Sequence, residues 1–333
     1  MTSAPIGPTS GPGPGLDQAA RLRELFRRHP AEARDAGQPK TPILAITSGK
    51  GGVGKTNIAV NLAAVLAQDY RVTLVDADLG MANADILCGV SPTRRLQHAM
   101  PMSDGTVHGR MGAHTCAGAD LSSIGIPTPY GFTLVPGAVG VSRMADLGPA
   151  EQTQLIRGLS HLEARSQVVL LDTGAGISSG VRRFLAVADA VLVVATPEPT
   201  SIADAYALIK CLSQTDTCGR AAGSRLCLVV NQALSREDAE RVHGRIARVC
   251  REFLSLDLPF LGWVPRDAQV QESVMSQGPV TKLAPRAPAS QAIVELSKSL
   301  SRKYLIANEP AGKPVPGVGG PKFGMLRRLL SGR

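Results

Sequence analysis

Short apolar runs recur through the middle of the chain, separated by longer stretches in which apolar residues return every three to four positions. The runs are Ile43–Ile46, Val72–Val75, Phe132–Val135, Val168–Leu171, Ala190–Ala195, Leu226–Val230 and Phe260–Val264. They are rich in β-branched residues and scarcely alternate with polar ones, as strands covered on both faces do. Helical periodicity fills 56–68, 151–164, 178–187, 201–213, 236–252 and 290–305. Strand and helix in alternation predict an α/β fold: a doubly wound, mostly parallel sheet with helices on both faces and right-handed crossovers. Residues 98–130 break the pattern and read as an extended loop.

The flanks differ in character. Residues 1–15 are Gly, Pro, Ser and Thr with little apolar content and are expected to be disordered. Residues 16–28 carry a helical apolar face, and 29–42 read as a linker to a main domain over 43–305. Residues 306–321 form a Pro/Gly tether. In the last segment, 322–333, a helix puts Phe323, Leu326, Leu329 and Leu330 on one side, with Met325 at its edge. Arg327 and Arg328 fall towards the other side. Such a helix is too short to cross a bilayer but fits its interface; the plainer alternative is that it packs on its own domain.

Composition sharpens this picture. At 333 residues and 44% hydrophobic, the chain can bury a sizeable core, which excludes a mostly disordered protein. Eleven aromatics are too few for a stacking surface for single-stranded nucleic acid. The net charge of +9 resolves into +2 over 16–40, a neutral body over 41–297 and +7 over 298–333. A basic tail that meets an anionic surface fits this better than a body that grips DNA. The six cysteines form no CxxC pair, and no secretory signal or apolar span is visible, which points to a reduced, cytoplasmic setting.

The sharpest signal lies just after the first strand. Gly49-Lys50-Gly51-Gly52-Val53-Gly54-Lys55-Thr56 is G-x-x-x-x-G-K-T between a strand and a helix. Glycines let backbone N–H groups turn inward and cradle phosphate oxygens at a helix N-terminus. Lys55 supplies charge to the β/γ-phosphates, and the Thr56 hydroxyl is placed to ligate Mg²⁺. Asp76 and Asp78 follow one strand and Asp172 ends another, where a carboxylate can hold Mg²⁺ or orient water. Any one such Asp equally starts a turn or caps a helix; the set beside the phosphate loop favours the metal. His108, His114 and Cys116 lack metal-ligand spacing.

The extra lysine inside the loop, Lys50 in KGGVGKT, resembles the deviant Walker A motif of the MinD/ParA superfamily of ATPases. DADLG and DTGAGIS resemble that family's switch I and switch II. The finer resemblance is to the FlhG (FleN/YlxH) branch, regulators of flagellar number and placement. It rests on TSGKGGVGKTNIAVNLA, DADLGMANADILCGV, VPGAVGVSRMADL and ATPEPTSIADAYALIK, and on Asp17-Gln18-Ala19-Ala20-Arg21-Leu22-Arg23, which matches that branch's DQAxxLR element. The resemblance implies a MinD-like P-loop NTPase fold and slow hydrolysis of ATP, gated by an ATP-sandwiched homodimer. Lys50 would reach across to the partner's nucleotide. Gly49 to Asn57 would hold the phosphates, with Mg²⁺ at Thr56, Asp76 and Asp172. Asp78 would position water, and Gly174 would sense the γ-phosphate through its N–H. Asn231 and the Pro265-Arg266-Asp267 loop would form the adenine pocket; for Asn231 alone, a turn-forming role is an equal reading. Asp17, Gln18, Ala19, Leu22 and Arg23 would stimulate an FlhF-like GTPase. The 322–333 helix would hold the protein reversibly on the inner face of the plasma membrane, with a cell pole as one such place. Flagellar switch proteins or a flagellar transcription activator are further implied partners.

Three alternatives stand beside this reading. A MinD-type division-site regulator lacks the DQAxxLR element. A ParA-like partitioning ATPase would bind DNA, which a neutral body does not favour. A nucleotide-sensing scaffold would turn over negligibly.

Overall fold

The computed structural model describes residues 41–99, 120–138, 149–215 and 225–305. The expectations for 1–15, 16–28, 29–40, 100–119 and 306–333 lie outside the described residues.

All seven apolar runs are strands, and an eighth is added. The strands are β1 (Ile43–Ser48), β2 (Val72–Ala77), β3 (Ile126–Pro127), β4 (Thr133–Val135), β5 (Val168–Ala175), β6 (Ala190–Ala195), β7 (Leu226–Ala233) and β8 (Phe260–Pro265). They form one sheet in the order β3-β4-β2-β5-β1-β6-β7-β8. All pairings are parallel except β3 with β4. The longer helices are α1 (Lys55–Leu66), α4 (Pro149–Glu163), α5 (Ser179–Val187), α6 (Pro199–Thr215), α7 (Arg236–Leu254), α8 (Ala268–Met275) and α10 (Pro288–Leu300). Single-turn helices are α2 (Ala84–Leu87), α3 (Leu96–Ala99) and α9 (Val280–Leu283). A π-helical turn, Ser301–Leu305, follows α10.

The lack of alternation along the strands has a direct cause. On β1, Ile43 and Ala45 face a core shared with α4, α5, α6 and α7, through Leu155, Phe184, Leu208 and Ile246. Leu44 and Ile46 face the other core, shared with α1 and α10 through Ile58, Leu62, Ile293 and Leu296. Successive side chains point to opposite faces, so a strand covered on both sides must be apolar throughout.

Two expectations are corrected. Residues 120–130 of the presumed extended loop hold a 3-10 turn, Leu121–Ser123, and the edge strand β3. The turn is capped by Asp120, whose carboxylate accepts the Ser122 N–H. Secondly, the linker ends before Thr41. The Thr41 hydroxyl bonds the Glu163 and Ser166 carbonyls, and the Pro42 carbonyl accepts from the Val169 N–H. Both residues therefore belong to the body.

Candidate nucleotide site

β1 runs at the centre of the sheet and delivers Gly49–Gly54 to its C-terminal edge, the place where open α/β sheets bind ligands. Helix α1 begins at Lys55 with Gly54 at its N-cap, in the left-handed region at φ 89°, and no side chain caps it. Its first amides are thus left to an incoming anion. Two glycines are fixed by neighbours. A Cβ on Gly49 would lie 2.1 Å from the Asp204 carbonyl of α6, and one on Gly54 would lie 2.4 Å from Asn231 Nδ2. Gly51 and Gly52 meet nothing within 4 Å, so their backbone faces open space. Val53 is buried and anchors the loop in the α1 core.

Lys55 is 8% exposed, and burial pulls its ammonium below the ordinary range, against the opposing pull of Asp172 and Asp78. Asp76 and Asp172 pair in register on β2 and β5. Burial raises the Asp76 carboxyl to about 6 although three backbone N–H groups, from Ala84, Asp78 and Asn83, hold its ionised form. These bonds run from Asp78 to Oδ1 at 3.2 Å, and from Asn83 and Ala84 to Oδ2 at 3.0 Å each. Asp172 is raised well above the usual carboxylate value by burial and by the nearby Asp76. Thr56 lies close enough to favour its charged form, but not at bonding geometry, since neither Asp172 oxygen has a hydrogen-bond partner. A buried, unpartnered carboxylate facing a buried lysine and a hydroxyl suits a hard divalent cation. Thr56 and Asp172 fit Mg²⁺ on that ground, with Asp76 behind them. Among the described residues no cluster of three His, Cys, Asp or Glu forms a metal site by itself.

The segments after β2 and β5, which the resemblance reads as switches, flank this centre. Asp78 Oδ1 accepts from the Gly80 and Met81 N–H groups, closing its own turn. A Cβ on Gly174 would lie 3.3 Å from that same Oδ1, so the two switch segments nearly touch. Asn57 follows Thr56 on the first turn of α1.

The residues matched to adenine contacts do structural work here. Asn231 donates from Nδ2 to the Val53 carbonyl at 2.8 Å, bracing the phosphate loop from β7. Asp267 accepts from the Gln269 N–H on Oδ1 and the Ala289 N–H on Oδ2, so both its oxygens are engaged. Pro265 ends β8, and Arg266 is exposed beside it, its N–H bonded to Ala233.

Lys50 does not point at the phosphate loop's own lysine. Its Nζ sits 2.9 Å from Glu198 Oε2 and 2.9 Å from Thr200 Oγ1, at the start of α6. This is a solvent-open pair, with the Lys50 side chain 39% exposed and that of Glu198 62%. Sequence reasoning named neither partner, although both fall in ATPEPTSIADAYALIK. It also passed over Met81 and Ile177, 79% and 50% exposed, which stand bare on the two switch segments. An apolar residue inside each polar turn was the available signal.

The comparisons with known proteins decide the family. The CobQ/CobB/MinD/ParA nucleotide binding domain matches residues 44–280. The chain belongs to this family. Within it, the chain is 37% identical to "Antiactivator FleN" of Pseudomonas aeruginosa over 288 residues, 86% of this chain and 92% of that protein. It is 30% identical to "Flagellum site-determining protein YlxH" of Helicobacter pylori over 316 residues, 94% and 98% of the two chains. These relatives place it on the family's flagellar-regulator branch. Among solved structures, the septum site-determining protein MinD of Pyrococcus horikoshii, complexed with Mg-ADP, superposes with a TM-score of 0.61 at 24% identity. The match covers 78% of this chain and 96% of that one, and it shows that the MinD fold is shared. Among the described residues no helix is long and apolar enough to cross a membrane.

Proposed function

We propose that this member of the family is an ATP-driven, dimerising regulator of flagellar number and placement that cycles on and off the membrane. One observation carries the chemistry: Lys55 and an unpartnered Asp172 share one buried centre at the mouth of an uncapped helix. The backbone from Gly49 to Thr56 binds the triphosphate, and Asn57 stands beside it. Lys55 neutralises the β/γ oxygens, a term that grows because the centre is buried. Mg²⁺, held by Thr56 and Asp172, would supply further positive charge at the phosphates. Asp78 leaves its turn with Gly80 and Met81 to orient the attacking water, and the Gly174 N–H faces the γ-phosphate. Arg266 and Pro265 border the base, while Asn231 and Asp267 fix the walls of its pocket.

Lys50 leaves Glu198 and Thr200 and enters the site of a second copy of the chain. An exposed ion pair of this kind is worth about 0–1 kcal/mol, so the move is inexpensive. Met81 and Ile177 give the two copies apolar contact around the nucleotides. The 322–333 segment gains about 1 kcal/mol per basic residue near anionic lipid. One copy binds marginally, and two on a dimer bind through effective concentration. ATP then sets membrane residence and hydrolysis ends it. Residues 16–28, through Asp17, Gln18, Ala19, Leu22 and Arg23, act on the nucleotide site of an FlhF-like GTPase.

Phosphate release with and without anionic liposomes, alongside flotation of the full chain and of a chain ending at 321, tests this. The reading expects ATP-dependent flotation of the full chain only, and ATP turnover by both. No turnover under any condition would leave a nucleotide-sensing scaffold instead. Turnover with equal flotation of both chains would remove the membrane role of the last segment.

A further inference from the structure

Asn61 is a costly choice of residue for its place. It lies in the middle of α1, bonded to Thr281 of α9, and is 1% exposed on a helix whose Ile58 and Leu62 share a core with Ala289 and Ile293 of α10. Asparagine is a poor helix former, and a buried amide is unfavourable unless each polar atom is bonded. Here all four bonding positions are used. Nδ2 donates to the Asn57 carbonyl at 2.8 Å and to Asn57 Oδ1 at 3.0 Å. Oδ1 accepts from the Thr281 N–H at 2.9 Å and from the Thr281 hydroxyl at 3.0 Å.

The second pair of bonds does a particular job. Helix α9 has Pro279 at its N-cap, which offers no side-chain acceptor. Its first amides would be orphaned without an outside partner. Asn61, 220 residues earlier in the chain, is that partner. Helix α10 is in the same position: Ala287 stands at its N-cap, and the outside acceptor for the Ala289 N–H is Asp267, from the loop after β8. Helices α9 and α10 are thus each capped from outside, one by Asn61 of α1 and the other by Asp267 of the loop after β8. On its other side, Asn61 holds the side chain and carbonyl of Asn57, the residue after the proposed magnesium ligand Thr56.

We infer that Asn61 is a positioning residue: it locks the first turn of α1 to α9, so that nucleotide at the phosphate loop and the order of α9 depend on each other. The inference rests on reading this loop as the nucleotide site. Coupling of this kind is reciprocal: if ADP tightens α9, loosening α9 weakens ADP by the same factor.

The test uses the full chain with ADP and Mg²⁺, measured by calorimetry and by amide hydrogen exchange. In the wild type, ADP slows exchange across 280–284. Asn61→Leu weakens ADP by about tenfold and removes that ADP-dependent slowing. Thr281→Val, which keeps the backbone bond and loses only the hydroxyl, weakens ADP by about threefold and guards against a first variant that fails to fold. A merely structural Asn61 would lower the melting temperature equally with and without ADP. Affinity within about twofold of wild type, with the slowing intact, in whichever variant folds, overturns the inference. A wild type that binds no nucleotide overturns the reading of the site, and the inference with it.

Discussion

Asp76 and Asp172 stand opposite each other on neighbouring strands, in register and equally buried, yet their surroundings could hardly differ more. Asp76 accepts three backbone N–H groups. Asp172 accepts none. The chain after each strand explains the contrast. Beyond Asp76 the strand ends within one residue and the chain turns back, so that the amides of Asp78, Asn83 and Ala84 fold over the carboxylate. Beyond Asp172 the strand continues to Ala175 and carries its amides away. One carboxylate is engaged by the chain after β2; the other has no hydrogen-bond partner, and in the proposed site it is the one left for a ligand. Residue type and register are the same; local chain direction assigns the role.

Substituting Asp172 breaks the contrast most sharply. Asp172→Asn is expected to weaken binding of ADP with Mg²⁺ by about 100-fold, read by calorimetry. The same change relieves a buried charge, so the metal-free protein melts a few degrees higher. Asp76→Asn should do the reverse. An amide offers one acceptor oxygen where the carboxylate offers two, so at least one backbone N–H loses its partner. The metal-free protein then loses about 1–3 kcal/mol in urea unfolding, with a smaller effect on nucleotide. If both variants behave alike, the assignment of separate roles fails.

A pH series sharpens the comparison without mutation. Both carboxyls hold a proton more readily folded than unfolded, with Asp76 near about 6. The sign follows: the metal-free protein gains stability from Asp76 as pH falls through that value, Asp172 contributes in the same direction, and the gain is complete once the ordinary carboxyl range is passed. Mg²⁺ with ADP needs the ionised forms, so the rise in melting temperature that they confer should be larger at about pH 7.5 than at about pH 5.5. Asp172→Asn should flatten that difference; an unchanged pH dependence would contradict the account. The smallest effect belongs to Glu198→Ala. Removing an exposed partner of Lys50 should change stability by under about 1 kcal/mol. It should also lower the protein concentration at which ATP brings two chains together, which sedimentation reads.

How much of this was legible in the sequence depends on distance along the chain. The phosphate loop, seven of the eight strands and the longer helices other than α8 were readable because each is specified by a few adjacent residues. Strand β3 was not, being two residues long with Pro127 in it, which only an edge position tolerates. Helix α8 was missed because AQVQESVM, short and partly polar, buries little beyond Ser273. The Asp residues were visible as candidates, but not their division of labour, which depends on where the chain turns after each strand. The Lys50–Glu198 and Asn61–Thr281 contacts join residues 148 and 220 positions apart, and no local pattern encodes them.

The central claim is that ATP joins two chains, with Lys50 of each leaving Glu198 for its neighbour's nucleotide. Light scattering on the eluting protein, with Mg²⁺ and either ADP or ATP, tests it most directly in the wild type, Lys50→Ala and Asp78→Ala. The account predicts a monomer with ADP throughout, a transient dimer for the wild type with ATP, a lasting dimer for Asp78→Ala and none for Lys50→Ala. An Asp78→Ala protein that binds ATP and stays monomeric, or a Lys50→Ala protein that dimerises as the wild type does, would contradict it.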